Sequence, residues 1–410
     1  MKPLPARTAV VVFLAFAFTY FFSALLRAIT ATLAPVLTQE FNLHSRDLGL
    51  LGGGYFLGFA ATQLPLGSWL DRHGPKRVIL GFLGVAVVGC IAFSFASSFT
   101  SLLASRVLCG IGVSACLMAP LSGFRRWLEP ATQLRANSWM LMTGSVGMLA
   151  STLPVQWLVP VIGWRPLFWA LAALILLSMA VIALAVPPWQ PGAVDPGTRP
   201  GSYAQVWRDT YFRRMAPIGF FSYGGLIAMQ SLWAGPWLVR VAGYPPLAAA
   251  GGLFAINASM MATFLAWGAL NPRLARQGIS ANRLIACGLP LSLAMLATII
   301  VAGQSAGAGS WALFCVSCSF VALAQPAVGM AFPPALAGRA LSAFNLVIFS
   351  GVFVVQWGIG LLIDGFAAAG LDTVDCFRAA MSVFLACTLA AYAYFMLANR
   401  DNRRAATVLP

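Results

Sequence analysis

The sequence predicts an all-α membrane protein of twelve transmembrane helices in two pseudo-symmetric six-helix bundles, and three observations carry that expectation. The 410 residues are 60% hydrophobic and only 9% charged, where a soluble globular chain carries about 25% charge. Apolar runs of roughly 18 residues or more, each long enough for about 30 Å of hydrocarbon, recur along the whole length. A hydrophilic stretch at 187–213, rich in Pro and Gly, divides those runs six and six.

In order, helices are expected at 9–37, 48–70, 78–97, 99–124, 136–160 and 166–186, within an N-terminal bundle of residues 1–186. The C-terminal bundle, 214–398, holds 214–239, 247–270, 284–302, 310–333, 341–365 and 379–398, and 399–410 forms a tail. An even number of spans puts both termini on one side. Of the 25 Lys and Arg, 19 fall in loops on that side, 4 in loops opposite and 2 within spans. By the positive-inside rule the termini and the linker are cytoplasmic, in a cell inner membrane. The formal charge of +15 is therefore topology rather than a nucleic-acid footprint. Lys2 and Arg7 precede an apolar run that continues without a small-x-small cleavage site, so the first span reads as uncleaved.

The eight cysteines lie mostly inside spans, and the C-x-x-C of Cys315 and Cys318 places two small side chains on one apolar helix face. No metal cluster, nucleophile–base pair or phosphate loop is legible, so neither a cofactor nor an enzyme is expected. The halves are weakly self-similar: "FFS" at 21–23 and 220–222, "APVL" at 34–37 and "GPWL" at 235–238, "VQW" at 155–157 and 355–357, at offsets of 199, 201 and 200. Six-helix repeats of this kind are a transporter architecture, with the binding site near the bilayer midplane between the halves.

Between the second and third spans runs "GSWLDRHGPKRVIL", 67–80. It resembles the loop signature of the major facilitator superfamily, with Trp69 where Leu is commoner. Gly67 and Gly74 permit packing and turning. Asp71 can face the positive end of a neighbouring helix, while Arg72, Lys76 and Arg77 anchor the loop at an anionic leaflet. The resemblance implies that Asp71 latches the cytoplasmic side of the two halves and serves gating, not substrate contact. "LLASRVLCGIG", 102–112, resembles the superfamily's fourth-helix pattern through Arg106, Gly110 and Gly112. Arg106 either snorkels outward or has a conformational or proton-linked role. The second-half copy of the loop, "GALNPRLARQG" at 268–278, lacks the Asp. The fifth helix reads "TGSVGMLASTLP", 143–154, without the glycine–proline pattern of the superfamily's drug/proton antiporters.

The least expected residue is Arg27, in "FFSALLRAITATLAPVL", 21–37. It lies roughly 15 Å from the outer helix end, at mid-bilayer, where a guanidinium costs about 2.5–3.5 kcal/mol. Tyr20, Ser23, Arg27 and Thr30 share one helical stripe. Of the ten acidic residues only Asp364 is within a span, at the outer end of the eleventh, which makes it a possible proton site. With no carboxylate at its own depth, Arg27 is suited to an anionic ligand, or to structural hydrogen bonding. Arg27 and Pro35 are spaced as in the first helix of the organophosphate/phosphate antiporters, where that Arg binds phosphate. Their second Arg would fall at residue 228, which is Ala, so the resemblance implies a monoanion such as a carboxylate rather than a phosphate ester. "QSLWAGPWL", 230–238, also resembles a large bacterial group of facilitator-superfamily permeases.

Tyr55, Tyr223, Gln230, Trp233, Asn257, Gln325 and Asn345 are further polar or aromatic residues in apolar runs, suited equally to lining a cavity or to bridging helices. Gln156-Trp157 and Gln356-Trp357 read as interface anchors or symmetric packing. With no His or carboxylate at mid-membrane, uniport or exchange is expected. The expected function is alternating-access transport of a small, carboxylate-bearing organic anion by a monomer. The alternative is export of amphipathic drugs or other hydrophobic molecules.

Overall fold

The computed structural model describes residues 4–188 and 202–407. Most of the expected linker (189–201) and the last three residues of the tail lie outside the described residues. Among the described residues every regular element is helical. Nine helices are long and apolar enough to cross a membrane, and a bent pair makes a tenth. The other two crossings are assembled from pieces, each for a local reason.

The second span begins as Ser45–Ala61, 17 residues long, and continues past Thr62 into Gln63–Ser94. That second helix breaks at Gly74, whose φ of 77° and ψ of 162° suit only glycine. Pro75 then restarts it, its fixed φ and missing N–H costing nothing in a first turn. Residues 63–73 thus complete span 2, and 75–94 form span 3. The Gly-Pro of the loop motif is the turn itself.

Span 7 runs from 210 to 240 as Thr210–Pro217, Ile218–Tyr223, Gly224–Ala228, Met229–Trp233 and Ala234–Arg240. The second and fourth pieces are π-helical, a rare ladder often found at functional sites. Span 7 starts four residues before its expected boundary because Asp209 Oδ1 accepts the N–H of Phe212 at 2.9 Å and caps it. Just before it, Ser202 caps a short helix, Tyr203–Arg208, in what reads as linker.

The remaining spans are Ala6–Phe41 (1), Phe99–Trp127 (4), Pro130–Ala150 with Leu153–Ile162 (5), Trp164–Ala185 (6), Pro246–Arg276 (8), Ala281–Ala302 (9), Ala308–Ala331 (10), Pro334–Ala368 (11) and Thr373–Thr407 (12). Span 5 bends by 43° at its break. The twelve-helix fold is the one expected, with both described ends on one face, called here the terminus side. The opposite face is the far side.

Close helix approach explains the span 4 glycines. A Cβ at Gly110 would run into the carbonyl of Tyr55 on span 2, and one at Gly112 into the backbone of Ala86 on span 3. Without a hydrophobic drive between helices in lipid, such backbone contact is what holds spans together. The outer surface is apolar, with Leu184 89% and Val161 80% exposed. That is a liability in water and the required surface in hydrocarbon.

Candidate functional site

Arg27 sits midway along span 1, partly buried, with its Nε enclosed and without a hydrogen-bond partner. Its guanidinium carbon lies 5.8 Å from the centre of the Phe59 ring on span 2. Tyr20 of span 1, Tyr55 of span 2 and Tyr223 of span 7 are its electrostatic neighbours. The thiol of Cys116 on span 4 lies beside Ser23 and within the field of Arg27. The ion pairs among the described residues are His44–Asp47, Arg46–Asp47, Arg165–Glu40 and Arg378–Asp375, all at or near helix ends. None involves Arg27. A cation is therefore held at mid-span by aromatic faces and phenol oxygens, which attract it weakly compared with a carboxylate.

Local packing fixes this arrangement. The hydroxyl of buried Tyr55 donates to the carbonyl of Ser23 at 3.0 Å, tying span 2 to span 1. Ser23 Oγ donates to Val113 O at 3.4 Å, tying span 1 to span 4. The Tyr55 and Phe59 rings stack, and Phe59 meets Phe349 of span 11 at 4.3 Å between centroids. Thr30, one stripe position further toward the far side, is buried.

Arg106 does not snorkel. It is 1% exposed, donates from Nη1 to Leu26 O at 3.0 Å and lies 4.9 Å from the Tyr55 ring centre. Its Nε and Nη2 are buried without partners. A carbonyl and a ring face in the bundle interior draw the guanidinium inward, so two cations flank one tyrosine.

The other polar candidates are engaged with one another. Gln230 Nε2 donates to Asn257 Oδ1 at 2.9 Å, and Asn257 Nδ2 to Leu253 O at 2.9 Å, joining spans 7 and 8. Trp233 Nε1 donates to Gln356 O at 3.1 Å. Gln325 Nε2 donates to Asn345 Oδ1 at 2.6 Å, and Asn345 Nδ2 to Gln63 Oε1 at 3.4 Å, a chain of amides from span 10 through span 11 to span 2. These side chains bridge helices. Gln356 is not an interface anchor: it is fully buried and donates from Nε2 to Ser231 Oγ at 3.0 Å, while Trp157 is 61% exposed. Phe59, Cys116 and Gln63 are absent from the sequence-derived set. Phe59 and Gln63 were findable, since they continue the Tyr55 face at one and two helical turns.

The two ends of span 2 are built differently. On the far side, both oxygens of Asp364, on span 11, accept backbone N–H groups that open span 2, from Ser45 at 3.1 Å and Arg46 at 2.9 Å. Arg240 Nη1 reaches Ser45 Oγ at 3.3 Å and lies in the field of Asp364. Asp364 thus serves as a cap on the N-terminus of span 2. Cβ atoms at Gly49 or Gly360 would collide with the facing backbone of Gln356 or Ser45. On the terminus side, Asp71 and Arg72 are exposed and Gly67 faces Ser342. Asp71 acts electrostatically on Tyr203, whose hydroxyl donates to Leu64 O at 3.0 Å and whose ring lies 5.9 Å from the Arg339 guanidinium. Lys76 Nζ does not anchor the loop at a leaflet. It donates to Val186 O at 2.7 Å and caps span 6.

Twelve apolar spans, a central cation without a counter-ion among the described residues and a helix seam with an acid at either end define a membrane carrier. The chain belongs to the Major Facilitator Superfamily, whose profile matches residues 16–356, and it is a multi-pass membrane transporter rather than an enzyme. It is 24% identical over 378 residues to the 3-(3-hydroxy-phenyl)propionate transporter of Escherichia coli, covering 90% of this chain and 88% of that one. It is 24% identical to the 4-hydroxybenzoate transporter of Acinetobacter baylyi over 67% of this chain and 66% of that one. Over 173 residues, 39% of this chain and 42% of the other, it is 28% identical to a multidrug resistance protein of Shigella flexneri. In fold it is similar to a bacterial homologue of the human lysosomal transporter Spinster in an inward-facing, occupied conformation, with a TM-score of 0.74 and 19% identity over 97% of this chain and 98% of that one.

Proposed function

We propose that the protein carries a small organic monoanion across the cytoplasmic membrane, its carboxylate held by Arg27 and its body lying against Tyr20, Tyr55, Phe59 and Tyr223. The observation that carries the reading is the enclosed Nε of Arg27, without a partner at mid-span. A carboxylate offers that guanidinium two acceptor oxygens in its own fork geometry. The single cation favours one negative charge over the two of a phosphate ester. The aromatic surround suits an aromatic acid, and the names of the two acid-transporting relatives support that choice.

In this reading residues 1–186 and 214–398 form two bundles that rock about the site. The terminus side is cytoplasmic, from the excess of Lys and Arg in its loops. Asp71 latches that side in the opposite state of the cycle. Transport proceeds by uniport or exchange, since both oxygens of Asp364 are taken up by helix donors.

A thermal-shift screen of the purified chain tests the reading, with benzoate-type monocarboxylates, dicarboxylates, phosphate esters and cationic drugs repeated on Arg27→Gln. A ligand at 100 times its Kd stabilises by about 2.7 kcal/mol. The expected result is stabilisation by aromatic monocarboxylates that Arg27→Gln abolishes. Stabilisation by cationic amphiphiles, or by anions equally in the variant, would favour drug export instead.

A further inference from the structure

A groove of about 510 Å³ opens sideways between spans 2 and 3, on the terminus side of the molecule and apart from Arg27. Its volume falls within the range of about 300–1,000 Å³ typical of ligand sites. Its mouth holds His73 and Arg77, both exposed, with the ring of Trp69. Its lining continues along span 3 through the exposed Gly81 to Val85, and includes Thr62 of span 2 and Ile111 of span 4. Trp69 packs on Phe82 at 5.7 Å between centroids and forms one lip. A Cβ at Gly81 would meet nothing within 4 Å, so the glycine leaves the slot open.

The polarity runs one way along span 3: cations at the loop end, then only apolar groups. From Arg77 to Val85 is eight residues, roughly 12 Å of helix, close to the depth of one leaflet, about 15 Å. Lys76 is already committed to Val186 O, whereas Arg77 forms no ion pair among the described residues. An indole at the boundary level is the usual interface residue of a membrane protein. The Arg77 guanidinium, with the His73 imidazole beside it as a hydrogen-bonding group, matches a phosphodiester, and the apolar slot matches a hydrocarbon chain.

From this complementarity we propose that the groove is a binding site for one anionic phospholipid of the terminus-side leaflet, its phosphate at Arg77 and His73 and one acyl chain along Gly81 and Val85. The lipid would then hold the loop that contains Asp71, coupling leaflet charge to the gate. The inference is independent of the substrate assignment, because it involves neither Arg27 nor its neighbours.

The test is native mass spectrometry of the delipidated full chain, titrated with phosphatidylglycerol and phosphatidylcholine of equal chain length, with thermal shifts in parallel. Phosphatidylglycerol is expected to bind at least fivefold more tightly, about the effect of one basic residue near an anionic headgroup. Arg77→Gln should remove most of that preference. Gly81→Leu should fill the slot and weaken both lipids, and its own melting point without lipid verifies that it folds. Equal binding of the two lipids would overturn the proposal. So would a preference that survives both substitutions, or stabilisation by inorganic phosphate equal to that by the lipid.

Discussion

The seam between spans 2 and 11 carries an acid at each end, and the two are used in opposite ways. At the far end Asp364 accepts two backbone N–H groups from the start of span 2 and shares Ser45 with Arg240. At the terminus end Asp71 is exposed and forms no ion pair among the described residues. Composition does not distinguish them; what differs is whether a helix N-terminus arrives within reach. An acid that meets one satisfies donors the helix cannot satisfy itself. The far end of this seam is therefore joined by a charged cap and a glycine-to-backbone interlock, while the loop-motif acid forms no ion pair among the described residues.

Three substitutions would break or sharpen this contrast. The largest effect is expected from Gly360→Leu, whose side chain must displace the backbone of Ser45 and Arg46. Overpacking of this kind costs about 1–3 kcal/mol. The melting point should fall, and a spin-label pair across the far ends of spans 2 and 11 should move apart. Asp364→Asn keeps one acceptor oxygen but replaces the other with a donor facing a backbone N–H. A loss of about 1–2 kcal/mol is expected, read as a roughly tenfold shift toward the far-side-open population in the same distance measurement. Asp71→Asn should change stability in this state by less than about 0.5 kcal/mol, yet slow substrate flux if the proposed latch forms in the opposite state of the cycle. A large stability loss at Asp71 and none at Asp364 would reverse the assignment of the two ends.

Much of the fold was legible because it follows from solvent. Apolar length, the charge asymmetry and the 187–213 break predict twelve spans, and the Gly-Pro of the loop motif marks the turn that separates spans 2 and 3. The π-turns of span 7 were not legible, since an apolar run such as "IGFFSYGGLIAMQSLW" has the same composition on either ladder. In the site, Arg27 was visible from depth alone, as a cation with no acid at its level. The pairings of Gln230 with Asn257 and of Asn345 with Gln63 were not, because a buried amide looks the same in sequence whether it meets a ligand or another amide. Asp364 was visible as an acid in a span, but its partners are 318 and 319 residues away. Arg106 pointed outward or inward with equal reason until Leu26 O and the Tyr55 ring were placed beside it.

The proposed role of Arg27, binding the anion in a carrier, is open to a direct test. The direct measurement is counterflow of a radiolabelled aromatic monocarboxylate in proteoliposomes, comparing the native chain, Arg27→Lys and Arg27→Gln at matched protein incorporation. Removing a charged partner of a bound anion costs about 2–5 kcal/mol, or at least thirtyfold in affinity. Counterflow should therefore vanish in Arg27→Gln and persist weakly in Arg27→Lys, which keeps the charge without the fork. Native-level counterflow in Arg27→Gln would make Arg27 a structural residue and contradict the account.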